Sequence, residues 1–129
     1  MVTDTIGDFL IRIKNSNLAG KEVASLHNSK MNLAIAEALV KAGFLKSVEK
    51  TKGGKMLEAT LVYKSDKSPK IMNVGRVSKP SRRVYKKSSE IRPFKNGLGA
   101  MVFSTPKGIL IDKEAVKQKV GGEALFKIW

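Results

Sequence analysis

The chain reads as an α+β protein in two small lobes. An N-terminal α-β-α-β-β lobe covers residues 1–64, and a mostly β lobe with one short helix covers residues 65–129. Three observations predict this. Two early stretches carry apolar residues at helical spacing, whereas most later segments alternate or turn at short intervals. The run Ser65-Asp66-Lys67-Ser68-Pro69 breaks the pattern and marks the boundary. A chain of 129 residues with 42% hydrophobic content supports one domain, or two small lobes sharing a boundary.

Residues 4–18 form the first expected helix. Thr3 or Asp4 caps it, Asp4 and Asp8 favour its positive end, and Ile6, Phe9, Leu10 and Ile13 make one apolar stripe. Residues 23–26 make a short strand. A second helix spans residues 29–42, with Asn28 or Ser29 as cap and Met31, Ala34, Ile35, Ala38, Leu39 and Ala42 at helical spacing. Gly43 then stands where a left-handed residue ends a helix, and Phe44 folds back on the last turn. Residues 45–50 and 56–64 alternate around Lys52-Gly53-Gly54-Lys55, a hairpin signal, with Leu57, Ala59, Leu61 and Tyr63 on one face. In the second lobe, residues 71–78, 100–104, 108–111 and 124–129 read as strands. Asp112 caps a helix over residues 113–120, which Gly121-Gly122 stops.

The charge is unevenly spread. Of a net +14, residues 64–95 carry +9, with eleven Lys and Arg against Asp66 and Glu90. Such a density repels itself unless a polyanion neutralises it, which points to RNA or DNA. An anionic membrane surface fits less well, because the cations sit among Ser, Pro and Val and not on an amphipathic helix carrying Trp or Phe. The segment from Arg76 to Lys87 holds six cations and no acid: Arg76, Lys79, Arg82, Arg83, Lys86 and Lys87. Arg binds phosphate in bidentate fashion, Lys supplies point charge, and Tyr85 can stack on a base. A solvated loop is the bland alternative for any charge run; here the density favours nucleic-acid contact.

Ser104-Thr105-Pro106-Lys107-Gly108 follows a strand and makes a small, hydroxyl-bearing turn. Small side chains admit a flat partner, although such a turn also closes ordinary hairpins. Gly97-Leu98-Gly99 precedes a strand and lacks a third glycine, so it is no dinucleotide fingerprint.

Catalysis and cofactors find little support. His27 is the only histidine, without an acidic neighbour in sequence, and the carboxylates are scattered. The chain has no cysteine, which excludes disulfides and thiolate metal sites, and no cofactor or metal is expected. No apolar run approaches a membrane span, and the first residues lack the regions of a signal peptide. An RNA-processing enzyme and a free-standing RNA chaperone or regulator are the competing classes.

The whole chain resembles the family of bacterial-type small-subunit ribosomal protein number eight. The resemblance rests on residues 4–15, on Ser29-Lys30 introducing the Ala-rich helix through Gly43-Phe44, on Arg76-Val77-Ser78-Lys79-Pro80 with Arg83-Val84-Tyr85, and on Gly97-Leu98-Gly99. Ser104-Thr105-Pro106-Lys107-Gly108 and Gly121-Gly122-Glu123 complete it. It implies a non-enzymatic structural protein of the small ribosomal subunit, in the cytoplasm or in an organelle's stroma or matrix. Such a protein binds the central domain of 16S-type rRNA early in assembly, contacts neighbouring ribosomal proteins and, in many bacteria, represses its own operon mRNA. By position, the rRNA-binding turn is Ser104, Thr105, Lys107 and Gly108, with Tyr85 and Glu123 near it. Arg12, Lys14, Asn15 and Lys30 match positions that meet a second rRNA segment. Three departures stand out: Pro106 where the family has Ser, Ser81 where it has Gly, and Thr5 where it has Pro. Pro106 stiffens the turn and removes one hydroxyl.

Overall fold

The computed structural model describes residues 5–51, 53–79, 81–92 and 99–129. It is an α+β protein of helices and antiparallel sheets that divides into two compact units, Thr5–Asn73 and Val74–Trp129.

In the first unit, α1 (Thr5–Leu18) buries Ile6, Phe9, Leu10 and Ile13, the expected stripe, and adds Asn17. Its proposed caps, Thr3 and Asp4, lie outside the described residues. β1 (Val23–His27) turns Ala24 and Leu26 inward. α2 (Lys30–Lys41) starts at Ser29, whose hydroxyl oxygen accepts the Asn32 amide at 3.1 Å. Its buried face is Asn32, Ile35, Ala36, Ala38 and Leu39, whereas Met31 is exposed. The expected stripe is therefore rotated. Asn32 can face inward because its amide donates to the His27 carbonyl at 2.9 Å. Gly43 takes a positive φ, and the Phe44 amide donates back to the Leu39 carbonyl, so the helix ends as expected with Phe44 buried.

β2 (Leu45–Lys50) and β3 (Met56–Leu61) form the antiparallel hairpin, with Gly53 and Gly54 in its turn; Lys52 lies outside the described residues. The sheet order is β1-β3-β2. Leu57, Ala59 and Leu61 share the buried face, but the strand stops at Leu61. Tyr63 lies beyond it, with its hydroxyl donating to the Lys21 carbonyl.

The chain remains with this unit past Lys64, the expected boundary, as far as Asn73. Local bonds explain why. The Lys64 amide donates to the Ser68 carbonyl, and Ser68 donates its hydroxyl and its amide to Asp66, which holds that carboxyl below its ordinary range. The Lys70 amide then donates to the Val62 carbonyl. Buried Ile71 donates its amide to Asn17 Oδ1 at 3.0 Å, and Asn17 also donates to the Val62 carbonyl. An asparagine inside α1 thus ties down a segment more than fifty residues away in sequence.

The second unit is one antiparallel sheet. Its strands are β4 (Val74–Arg76), β5 (Tyr85–Lys86), β6 (Ala100–Thr105), β7 (Gly108–Ile111) and β8 (Gly122–Ile128), in the order β4-β8-β6-β7 with β5 also on β8. A 3-10 turn, Ser88–Glu90, follows β5. Ile91, Phe103, Ala115 and Ala124 form a buried cluster under α3 (Asp112–Lys117), joined by Val77, Val84, Met101, Leu110 and Val120.

Four expectations are revised in this unit. Of the strand over residues 71–78, Val74–Arg76 is the regular strand and the Val77 and Ser78 amides still donate to the Leu125 and Ala124 carbonyls of the same neighbour; Ile71 is held by Asn17 in the first unit. Asp112 is the first residue of α3 and buried, while the N-cap position belongs to Ile111 without a side-chain bond. The helix ends at Lys117, and the left-handed residue after it is Lys119 (φ 58), with the Val120 amide donating to the Ala115 carbonyl. Gly121 and Gly122 do not stop the helix; β8 begins at Gly122, earlier than the expected Ala124.

Candidate nucleic-acid interface

The basic segment is a pinned hairpin and not a loose loop. Ser78 is fully buried, accepts the Val84 amide at 2.8 Å and donates to the Val84 carbonyl at 3.2 Å. The Lys79 and Arg82 backbones bond reciprocally across the tip; Pro80, between them, is outside the described residues. Lys79, Arg82, Arg83 and Lys87 stay exposed and Lys86 half-buried, so the cations are displayed on a fixed frame. Arg76 differs, because its guanidinium donates to the Leu125 carbonyl at 2.9 Å and secures β4 against β8.

The small turn joins β6 to β7, with Thr105 paired to Gly108 and Pro106-Lys107 at its tip. Proline cannot take the positive φ of the usual two-residue hairpin, and that conformation falls instead on Gly108 (φ 108). The Thr105 hydroxyl donates to the Gly108 carbonyl at 2.8 Å and accepts the Lys107 amide at 3.1 Å. Its proton is thereby used inside the turn.

β8 brings turn and hairpin together. Glu123 is opposite Tyr85 on one side and Ser104 on the other. Directly opposed residues of antiparallel strands project to the same face with Cβ atoms about 4.5–5.5 Å apart. Tyr85, Glu123 and Ser104 therefore form one row, with Tyr85 69% exposed at its end. Arg83 donates to Glu123 Oε2 at 3.0 Å, so the acid sits oriented inside a basic surface.

Two glycines make the row possible, and sequence reasoning misread them. A Cβ on Gly121 would lie 2.3 Å from the Lys86 carbonyl oxygen, and one on Gly122 would lie 2.0 Å from the Ser104 carbonyl oxygen. Neither glycine is at positive φ, so the requirement is close approach and not conformation. Ser78 was also missed, since a serine in a basic run carries no sign of burial. Glu123 entered only through the resemblance.

In the first unit, Arg12 and Asn15 line a groove of about 420 Å³ with Ile11, Ser16, Ala19, Lys21 and Ser25. Arg12 is paired with Asp8 at 3.0 Å on the helix surface. Lys14 and Lys30 do not line this groove; Lys30 is exposed on the first turn of α2. Among the described residues no group of His, Cys, Asp and Glu could hold a metal ion, and no helix is long and apolar enough to cross a membrane.

Comparison with known proteins shows the family. The chain is 45% identical to the small ribosomal subunit protein uS8 of Caldanaerobacter subterraneus subsp. tengcongensis, over 100% of this chain and 99% of that one. It is 42% identical to the protein of the same name from Chloroflexus aggregans and 40% identical to that from Leptospira biflexa, over 99% of this chain and 98% of each relative. The profile described as ribosomal protein S8 matches residues 4–129, and the chain belongs to that family of small-subunit ribosomal proteins.

Proposed function

We propose that the protein binds the central domain of small-subunit rRNA, with Val74–Trp129 as the principal RNA-binding unit. The observation that carries this is the row of Tyr85, Glu123 and Ser104, flanked on one side by the pinned basic hairpin and on the other by the 104–108 turn. Arg82, Arg83, Lys79, Lys86, Lys87 and Lys107 supply charge to the phosphates. Ser104, the Thr105-Gly108 backbone and Tyr85 meet a helix with splayed or unpaired bases. Arg12 and Asn15, in the groove of the first unit, with Lys14 and Lys30 nearby in sequence and on α2, hold a second rRNA segment. Arg76 serves the interface by anchoring β4.

The role is structural and not catalytic: scattered carboxylates and a single histidine offer no acid–base constellation. Binding helps the subunit assemble beside neighbouring ribosomal proteins. An operon mRNA that presents the same irregular helix would occupy the same row. Footprinting the protein on small-subunit rRNA tests the proposal. Protection confined to an irregular helix of the central domain is expected, and protection spread evenly over duplex regions would overturn it.

A further inference from the structure

We infer that Asn17 is a positioning residue for RNA binding: by fastening Ile71 and Val62 to α1 it keeps the tether between the two units short, so that contacts made by one unit raise the effective concentration of the other at the same RNA. The inference rests on the rRNA-binding reading above, in which both units contact rRNA, and goes beyond it by naming what couples the two contacts.

The connection from β3 to β4 is long in sequence and short in effect. Between Leu61, where β3 ends, and Val74, where β4 begins, the extended chain would reach about 45 Å. The fold takes up most of that length. Asn17 is fully buried, and its one side chain serves both ends of the segment: Oδ1 accepts the Ile71 amide at 3.0 Å, and Nδ2 donates to the Val62 carbonyl at 3.3 Å. Ile71 is itself fully buried, and the Lys70 ammonium sits 5.3 Å from the centre of the Phe44 ring. Only Met72 and Asn73 then separate Ile71 from β4, a reach of about 10 Å.

The bonds of this segment divide by what they hold. The Tyr63–Pro69 bridge, the Lys70 amide on the Val62 carbonyl and the Lys64–Ser68 bond close the loop upon itself. Tyr63, through the Lys21 carbonyl, fastens the start of the loop to the unit. Its end is fastened by Asn17. Without that acceptor the Ile71 N–H is buried and unpaired, and water satisfies it only if the segment leaves the core. The tether then lengthens from about three residues to about a dozen. Effective concentration falls roughly as the −3/2 power of tether length, which makes the loss about tenfold.

The test uses the full chain and two RNA probes: a central-domain fragment carrying both footprinted segments, and the isolated irregular helix. Asn17→Ala is compared with a variant carrying about ten Gly and Ser residues inserted between Met72 and Asn73. Each variant should bind the isolated helix as the native protein does and the fragment about tenfold more weakly. Combining the two changes should cost no more than the insertion alone, since the tether is already long. In the native protein the Ile71 amide should exchange as slowly as the amides in the middle of β3, and much faster in Asn17→Ala. An insertion that leaves fragment binding at the native level overturns the inference, as does Asn17→Ala weakening both RNAs alike, which would make its role merely structural. If Asn17→Ala does not fold, the insertion and the native exchange rate decide, and fast exchange at Ile71 overturns it. Native protein that binds the fragment no more tightly than the helix would instead defeat the proposal that the first unit holds a second rRNA segment.

Discussion

Thr105 carries a hydroxyl in the middle of the proposed interface, yet donates it to Gly108 and accepts from Lys107. With its one proton committed, it cannot also donate to a phosphate or a sugar. Its contribution is to hold the turn in which Ser104 and Lys107 are displayed, alongside the restriction that Pro106 imposes. Thr105→Val keeps the shape and removes both bonds, each worth about 0.5–1.5 kcal/mol in ordinary settings. Affinity for the rRNA helix should fall about threefold to tenfold while duplex binding stays level, and the Lys107 amide should exchange faster in the free protein. Thr105→Ser should restore both. Normal exchange at Lys107 together with weakened binding would instead mean that the hydroxyl touches RNA directly.

At the scale of elements, β8 is the organiser: β4, β5 and β6 all pair with it, and the hairpin and turn meet only across it. Gly122 sets the distance to β6, and Gly121 sets the distance to the Lys86–Ser88 backbone. Gly122→Ala places a methyl group against the Ser104 carbonyl, where backbone must move. Overpacking of this kind costs about 1–3 kcal/mol. A lowered melting temperature is expected, with helix binding reduced more than duplex binding because Ser104 shifts out of the row. Gly75→Ala is the control, since its Cβ meets nothing closer than a Trp129 ring carbon at 4.0 Å. Equal melting temperatures for the two variants would show that β6 and β8 separate freely.

For the molecule as a whole, the proposed binding mode takes its affinity from charge and its selection from the row. A net charge of +14, of which residues 64–95 carry +9, implies counterion release on binding RNA. If about six phosphates are neutralised, the log–log dependence of affinity on salt has a slope of about −4 to −5 for either RNA. Titrations in increasing salt should show that slope for helix and duplex alike, with the preference between them surviving. A flat dependence would sink the electrostatic account, and a preference that vanishes with salt would leave charge as the only reader.

The α+β class, α1, the ends of α2, the β2–β3 hairpin and the basic stretch were legible in the sequence because each is a local property. Ile6, Phe9, Leu10 and Ile13 recur at helical spacing, Ser29 and Gly43 bracket α2, and charge needs only counting. The residues of the proposed interface were nameable in the sequence, chiefly through the resemblance, but their arrangement was not. Tyr85, Ser104 and Glu123 are far apart in sequence and meet by register on β8, which no local pattern encodes. The same holds for Asn17 reaching Ile71, for Lys119 taking the left-handed turn, and for the two glycines whose missing side chains admit neighbouring strands. Sequence determined which residues are apolar, charged or small. Tertiary structure decided which of them share a face, because partners across a sheet or core are chosen by packing over long separations in the chain.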